Sequence, residues 1–221
     1  MTNIITFIYR DFWEFKNKPI KFLAVLISMI FPVLGGWSDN GMLADRQNLV
    51  VLMVLIVPIY LSMETTLSQT SNYIREGIFE QYFLNDKIRK TQIVIAKWVF
   101  NSVLSLISSA CSWLVYQILN KSGVLTTVFN LTPMLMLDVI IVSYVSSVIG
   151  IIAATLIKNE KAHFIYVMCM IFILLIVFTV FDRCKLFSEG MLFAYLAGIS
   201  AVGTLLIQVM YKSNRFINRD R

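Results

Sequence analysis

The chain contains one histidine, His163, in 221 residues. A single imidazole cannot build a His-based metal site, and the zinc-protease pattern His-Glu-x-x-His is missing. The nucleophile elbow Gly-x-Ser-x-Gly and paired-acid motifs are missing too. No glycine is followed by lysine anywhere, so the chain lacks the phosphate-cradling P-loop. Any ATP it uses has to be held by another polypeptide, together with its magnesium. Cysteine is scarce and odd in number: Cys111, Cys169 and Cys184 form no Cys-x-x-Cys pair. Two of them lie inside apolar runs, where cysteine packs as a small apolar residue. Catalysis by this chain, a metal site and a cofactor of its own are therefore not expected.

Charge is the other shortage. Only 14% of residues are Asp, Glu, Lys or Arg, while 58% are apolar and the mean hydropathy is +0.75. So few charges cannot coat a soluble globule of this size. The net charge of +6 does not point to nucleic acid, because the basic residues sit in the connections between apolar runs. Asp11 and Glu14 interrupt the start of the chain before any apolar core, so a cleavable signal peptide is not expected.

What is present is a series of apolar runs long enough to cross a bilayer as helices. The reading is an all-α membrane protein forming a single transmembrane domain over 1–221, with six spans near 20–37, 48–69, 92–119, 131–157, 164–181 and 191–211. Pro58 predicts a kink in the second span, and Pro133 falls in the first turn of the fourth, where proline is tolerated. With both termini on one side, fifteen of the nineteen Lys and Arg fall on that side. The positive-inside rule makes it cytoplasmic. Trp37 and Trp113 then fall toward the outer interface, and Trp98 toward the inner one.

Ahead of the first span, Ile5, Ile8, Tyr9, Phe12 and Phe15 recur at helical spacing, with Arg10, Asp11, Glu14 and Asn17 opposite. Over 1–18 this is the pattern of an amphipathic helix at a membrane surface, with its polar side to water.

Inside the spans, Ser102, Ser105, Ser109, Ser112 and Tyr116 are spaced three and four apart and share one face of the third span. Ser143, Ser146 or Ser147, Gly150 and Ala154 do the same in the fourth, and Ala194, Gly198 and Ala201 in the sixth. Such faces either pack helices closely or line a polar path, and spacing does not separate the two. Glu64 and Asp138 are acids at membrane depth, where ionisable groups face protein or water. Lys97, near the start of the third span, has a stem long enough to snorkel to the surface.

The longest polar interruption is 71–90, between the second and third spans. Ile74, Ile78 and Tyr82 lie four apart, flanked by Phe79 and Phe83, and Glu76 and Glu80 fall on the other side. Two acids at that spacing repel, and a partner carrying Arg or Lys would relieve them. Gly77 leaves room for another backbone.

Arg75-Glu76-Gly77, then Glu80, then Lys97 in the next span, resembles the permease subunits of type-2 ABC exporters. The resemblance covers the layout of the whole chain and, residue by residue, about 73–97. It departs in having Asn85-Asp86 where the family often has proline, and in short or missing re-entrant helices before the last span. It implies an N-terminal elbow helix and a cytoplasmic coupling helix formed by Arg75, Glu76, Gly77, Phe79, Glu80, Tyr82 and Phe83. It also implies partner ABC ATPase subunits, a second permease (the same chain or another), a place in the bacterial cell membrane, and export of an amphipathic cargo such as an antimicrobial peptide. The competing expectation is a membrane scaffold or sensor that recruits a cytoplasmic partner through 71–90.

Overall fold

The computed structural model describes residues 2–19, 25–26, 30, 46–77, 90–124, 130–156, 165–169, 171–172, 176, 180, 198–199, 201–202 and 205. Most of these residues are helical, and no strand occurs among them. Four long helices organise them: α1 (Thr2–Lys16), α2 (Arg46–Arg75), α3 (Lys90–Lys121) and α4 (Pro133–Leu156).

The helix ends follow from local chemistry. Pro133 opens α4 with its ring already at a helical φ, and the Thr132 hydroxyl accepts the Leu135 N–H at 3.2 Å. α2 and α3 stop where a glycine turns left-handed, Gly77 at φ 65° and Gly123 at φ 75°. Beyond α3, the N–H groups of Gly123 and Val124 bond back to the carbonyls of Asn120 and Leu119, closing the last turn. α2 runs unbroken through Pro58.

The pairing of side chains gives the directions. Gln69 meets Lys97, Thr65 meets Asn101 and Ser62 meets Ser105, so α3 runs antiparallel to α2. Val54 and Leu55 cluster with Val139 and Val142, and Gly150 sits against Met63 and Thr66, so α4 runs parallel to α2. α2 is the central element, with the unbroken run Val54–Ile59 buried on every side.

Two helices, Gln92–Lys121 and Pro133–Ala154, are long and apolar enough to cross a membrane. At 1.5 Å per residue the 30 residues of α2 extend about 45 Å. The apolar residues Ile95, Val99, Val103, Ile107, Leu114 and Ile118 form the exposed side of α3. Its serines turn inward. The small faces expected on the third and fourth spans are both buried, Ser102 through Tyr116 on α3 and Ser143 through Ala154 on α4. Of the small residues expected on a sixth span, Gly198 and Ala201 are exposed, and Ala194 lies outside the described residues.

Candidate functional site

Two polar centres lie inside this apolar framework. The first joins α1 to the end of α2 and the start of α3. The ammonium of Lys97 is fully buried, 2.5 Å from Oδ1 of Asp11, which is buried as completely. Lys97 also donates to Oε1 of Gln69 at 2.7 Å and lies 4.4 Å from the centre of the Tyr73 ring. The Tyr73 hydroxyl donates to the same Asp11 oxygen at 2.6 Å, and the Gln69 amide donates to the Asp11 carbonyl at 3.3 Å. Burial, and then the neighbouring Asp11 carboxylate, push the Tyr73 phenol well above its usual pKa, so it stays a proton donor. An ammonium at this depth is tolerable only with such partners.

This corrects two expectations. Asp11 does not face water: the helix is rotated so that Phe7, Asp11 and Phe15 face the bundle, while Ile5, Tyr9, Phe12 and Trp13 face outward. Lys97 does not snorkel, because a counter-charge reaches it from α1. Phe7 packs with Tyr73, Ile93 and Ala96, Asp11 bonds Lys97, and the Phe15 ring meets Phe100 at 6.2 Å. α1 therefore tracks α3 in the same direction and touches the last turns of α2.

Around this core is an exposed rim. Arg10 pairs with Glu76 at 2.8 Å and lies 4.7 Å over the other contact of the site, the Tyr73 ring. Glu14 accepts from Lys18 at 2.8 Å and from Asn72 at 2.9 Å. Glu76 thus has its basic partner within the same chain. Arg75 is the last residue of α2 and reaches back to Asn72. Gly77 takes the left-handed turn at φ 65°, and among the described residues nothing lies within 4 Å of the position a Cβ would take. That turn ends α2 just after Ile74, and Ile78 lies outside the described residues. Phe79, Glu80, Tyr82 and Phe83 lie outside the described residues.

The second centre is Asn101, which no spacing rule singles out. Its amide nitrogen donates to Thr66 Oγ1 at 2.6 Å and Ser147 Oγ at 2.8 Å, and its oxygen accepts from Thr65 at 2.7 Å. One side chain thereby ties α2, α3 and α4. The sequence signal was available: an amide inside an apolar run must be satisfied by another helix. One turn further on, the Ser105 hydroxyl lies 3.5 Å from that of Ser62. The hydroxyls of Ser109 and Ser112 are buried with no hydrogen-bond partner among the described residues. Asp138 is buried on α4, and Glu64 is half-buried on α2. Among the described residues no group of His, Cys, Asp and Glu could hold a metal.

The fold and these centres define an all-helical protein that has, among the described residues, two helices long and apolar enough to span a membrane, packed around buried polar contacts. Comparison with protein-family models, characterised proteins and solved structures finds no match.

Proposed function

We propose that the chain is the membrane-spanning subunit of an ATP-driven exporter of the type-2 ABC class. It would span the cell membrane six times with both termini inside, and a separate ATPase subunit would hydrolyse the ATP. The observation that carries this reading is the junction at Arg75-Glu76-Gly77. An acid-bearing turn leaves α2 abruptly through a left-handed glycine, beside the N-terminal helix and at the end of the bundle where α3 begins. Force applied to the 76–90 connection would pass directly into α2 and α3. α1 serves as the elbow helix, with Ile5, Tyr9, Phe12 and Trp13 toward lipid.

In this mechanism ATP closes an ATPase dimer that binds the connection, and the closed state draws the two helices with it. A second permease completes the path, and the cargo is amphipathic, an antimicrobial peptide being the leading candidate. Copurification provides the test. The wild type should retain a P-loop ATPase, and the Glu76→Lys/Glu80→Lys variant should lose it. A stable complex that contains no ATPase would instead identify a scaffold or sensor.

A further inference from the structure

The buried polar groups form a continuous seam through the three-helix core, and α1 sits on one end of it. The seam begins at Asp11, Lys97 and Gln69, continues through Thr65, Thr66, Asn101 and Ser147, and reaches Ser62 and Ser105. Each step is one helical turn of α2 and α3. From Lys97 to Ser105 it covers about 12 Å, at 1.5 Å per residue. Among the described residues, Asp11 is the contribution to the seam from outside those helices, and it supplies the charge that makes burial of Lys97 tolerable.

We propose that α1 is a removable plug on this seam, with the Asp11–Lys97 pair as its latch. Three observations carry the inference. First, the latch is satisfied on one side only: Oδ1 of Asp11 takes both Lys97 and Tyr73, while Oδ2 is buried with no hydrogen-bond partner among the described residues. A buried ion pair with an orphan oxygen is a poor source of stability and suits a two-state contact. Second, the outer clasp is weak by construction, because Arg10 and Glu76 are 40% and 49% exposed. Third, the outward face of α1 is aliphatic and aromatic, so the released helix keeps a favourable place on a lipid surface. Release would leave Lys97 and Gln69 without their α1 partners and admit water to the seam. The proposal does not depend on the exporter reading.

The test uses the full chain in lipid nanodiscs, with Cys111, Cys169 and Cys184 changed to serine and Ser105→Cys added as a reporter. A charged methanethiosulfonate reagent labels the reporter, and hydrogen exchange over residues 4–16 follows α1. With Asp11 intact, labelling is slow and α1 is protected. Asp11→Asn, which keeps the shape and removes the charge, speeds both readouts by at least about tenfold. The Asp11→Lys/Lys97→Asp exchange restores slow labelling, which a merely misfolded protein would not do. Arg10→Ala changes labelling by less than about threefold, in keeping with an exposed pair. The plug is overturned if α1 exchanges faster in Asp11→Asn while the reporter stays protected. The latch is overturned if Asp11→Asn and Asp11→Ala leave exchange over 4–16 unchanged. Both are overturned if the reporter is labelled rapidly with Asp11 in place.

Discussion

Lys97 and Asp11 stand 86 positions apart in the chain and meet in a contact from which solvent is excluded. Breaking such a pair from one side leaves a lone charge in an apolar setting. Lys97→Met or Asp11→Ala should lower unfolding free energy by roughly 3–5 kcal/mol, the range seen when a buried pair loses one member. The double variant Asp11→Leu/Lys97→Met should lose clearly less than the sum of the two. Denaturant unfolding in mild detergent, followed by circular dichroism, measures all three. Additive losses would mean that the two groups do not share an environment.

Removing the amide at the crossing of three helices should also be costly. Asn101→Leu strips Thr65, Thr66 and Ser147 of their shared partner, and each buried hydroxyl left unmet costs about 1–3 kcal/mol. Serine fallback to its own helix carbonyl, already made by Ser147 to Ser143 at 2.7 Å, reduces the total. A loss of about 2–4 kcal/mol in the same unfolding assay is expected from these terms. Asn101→Gln should be intermediate, because the amide survives but sits a methylene too far out.

Gly150 is a steric test. A Cβ there would lie 3.0 Å from Thr66 Cβ and 3.1 Å from the backbone oxygen of Met63. The oxygen belongs to a helix and cannot swing aside. Gly150→Ala should destabilise by about 1 kcal/mol, and Gly150→Val by about 3 kcal/mol, as overpacking does. Pairing Gly150→Ala with Thr66→Ser, which removes the Cγ2 at 3.3 Å, should recover part of the loss.

The rim behaves differently from the centre. Arg10→Ala removes an exposed pair and should change stability by under about 1 kcal/mol, less still at high salt. Gly77→Ala should cost about 1 kcal/mol, because its φ of 65° strains any residue with a Cβ even though the space is open. A larger effect from Arg10→Ala than from Gly77→Ala would contradict this ordering.

Much of the helical framework was legible in sequence. Runs near 92–119 and 131–157 became α3 and α4 within about two residues at each end, which is ordinary boundary scatter. The three-and-four spacing of Ser102 to Tyr116 correctly placed one face inward, because helical periodicity is a local property. Asp11, Lys97 and Asn101 were not legible in the same way. Asp11 fits the polar side of an amphipathic helix, and only the rotation of α1 against α3 buries it. Lys97 reads as a snorkelling residue until a counter-charge arrives from 86 positions away. Periodicity says which residues share a face, and it is silent about which distant face covers them. The first residues of the connecting stretch expected from Ser71 continue α2. Ser71 to Arg75 keep good helix-forming company and extend α2, and the break waits for the residue able to turn left-handed, Gly77.

The contact at Gly150 restricts where anything could slip sideways out of this bundle. Where the Gly150 backbone rests directly on the Thr66 side chain and the Met63 carbonyl, an acyl tail or a peptide has no thickness of gap to enter. At that height α2 and α4 are locked together, so a movement of one would carry the other with it as a single panel.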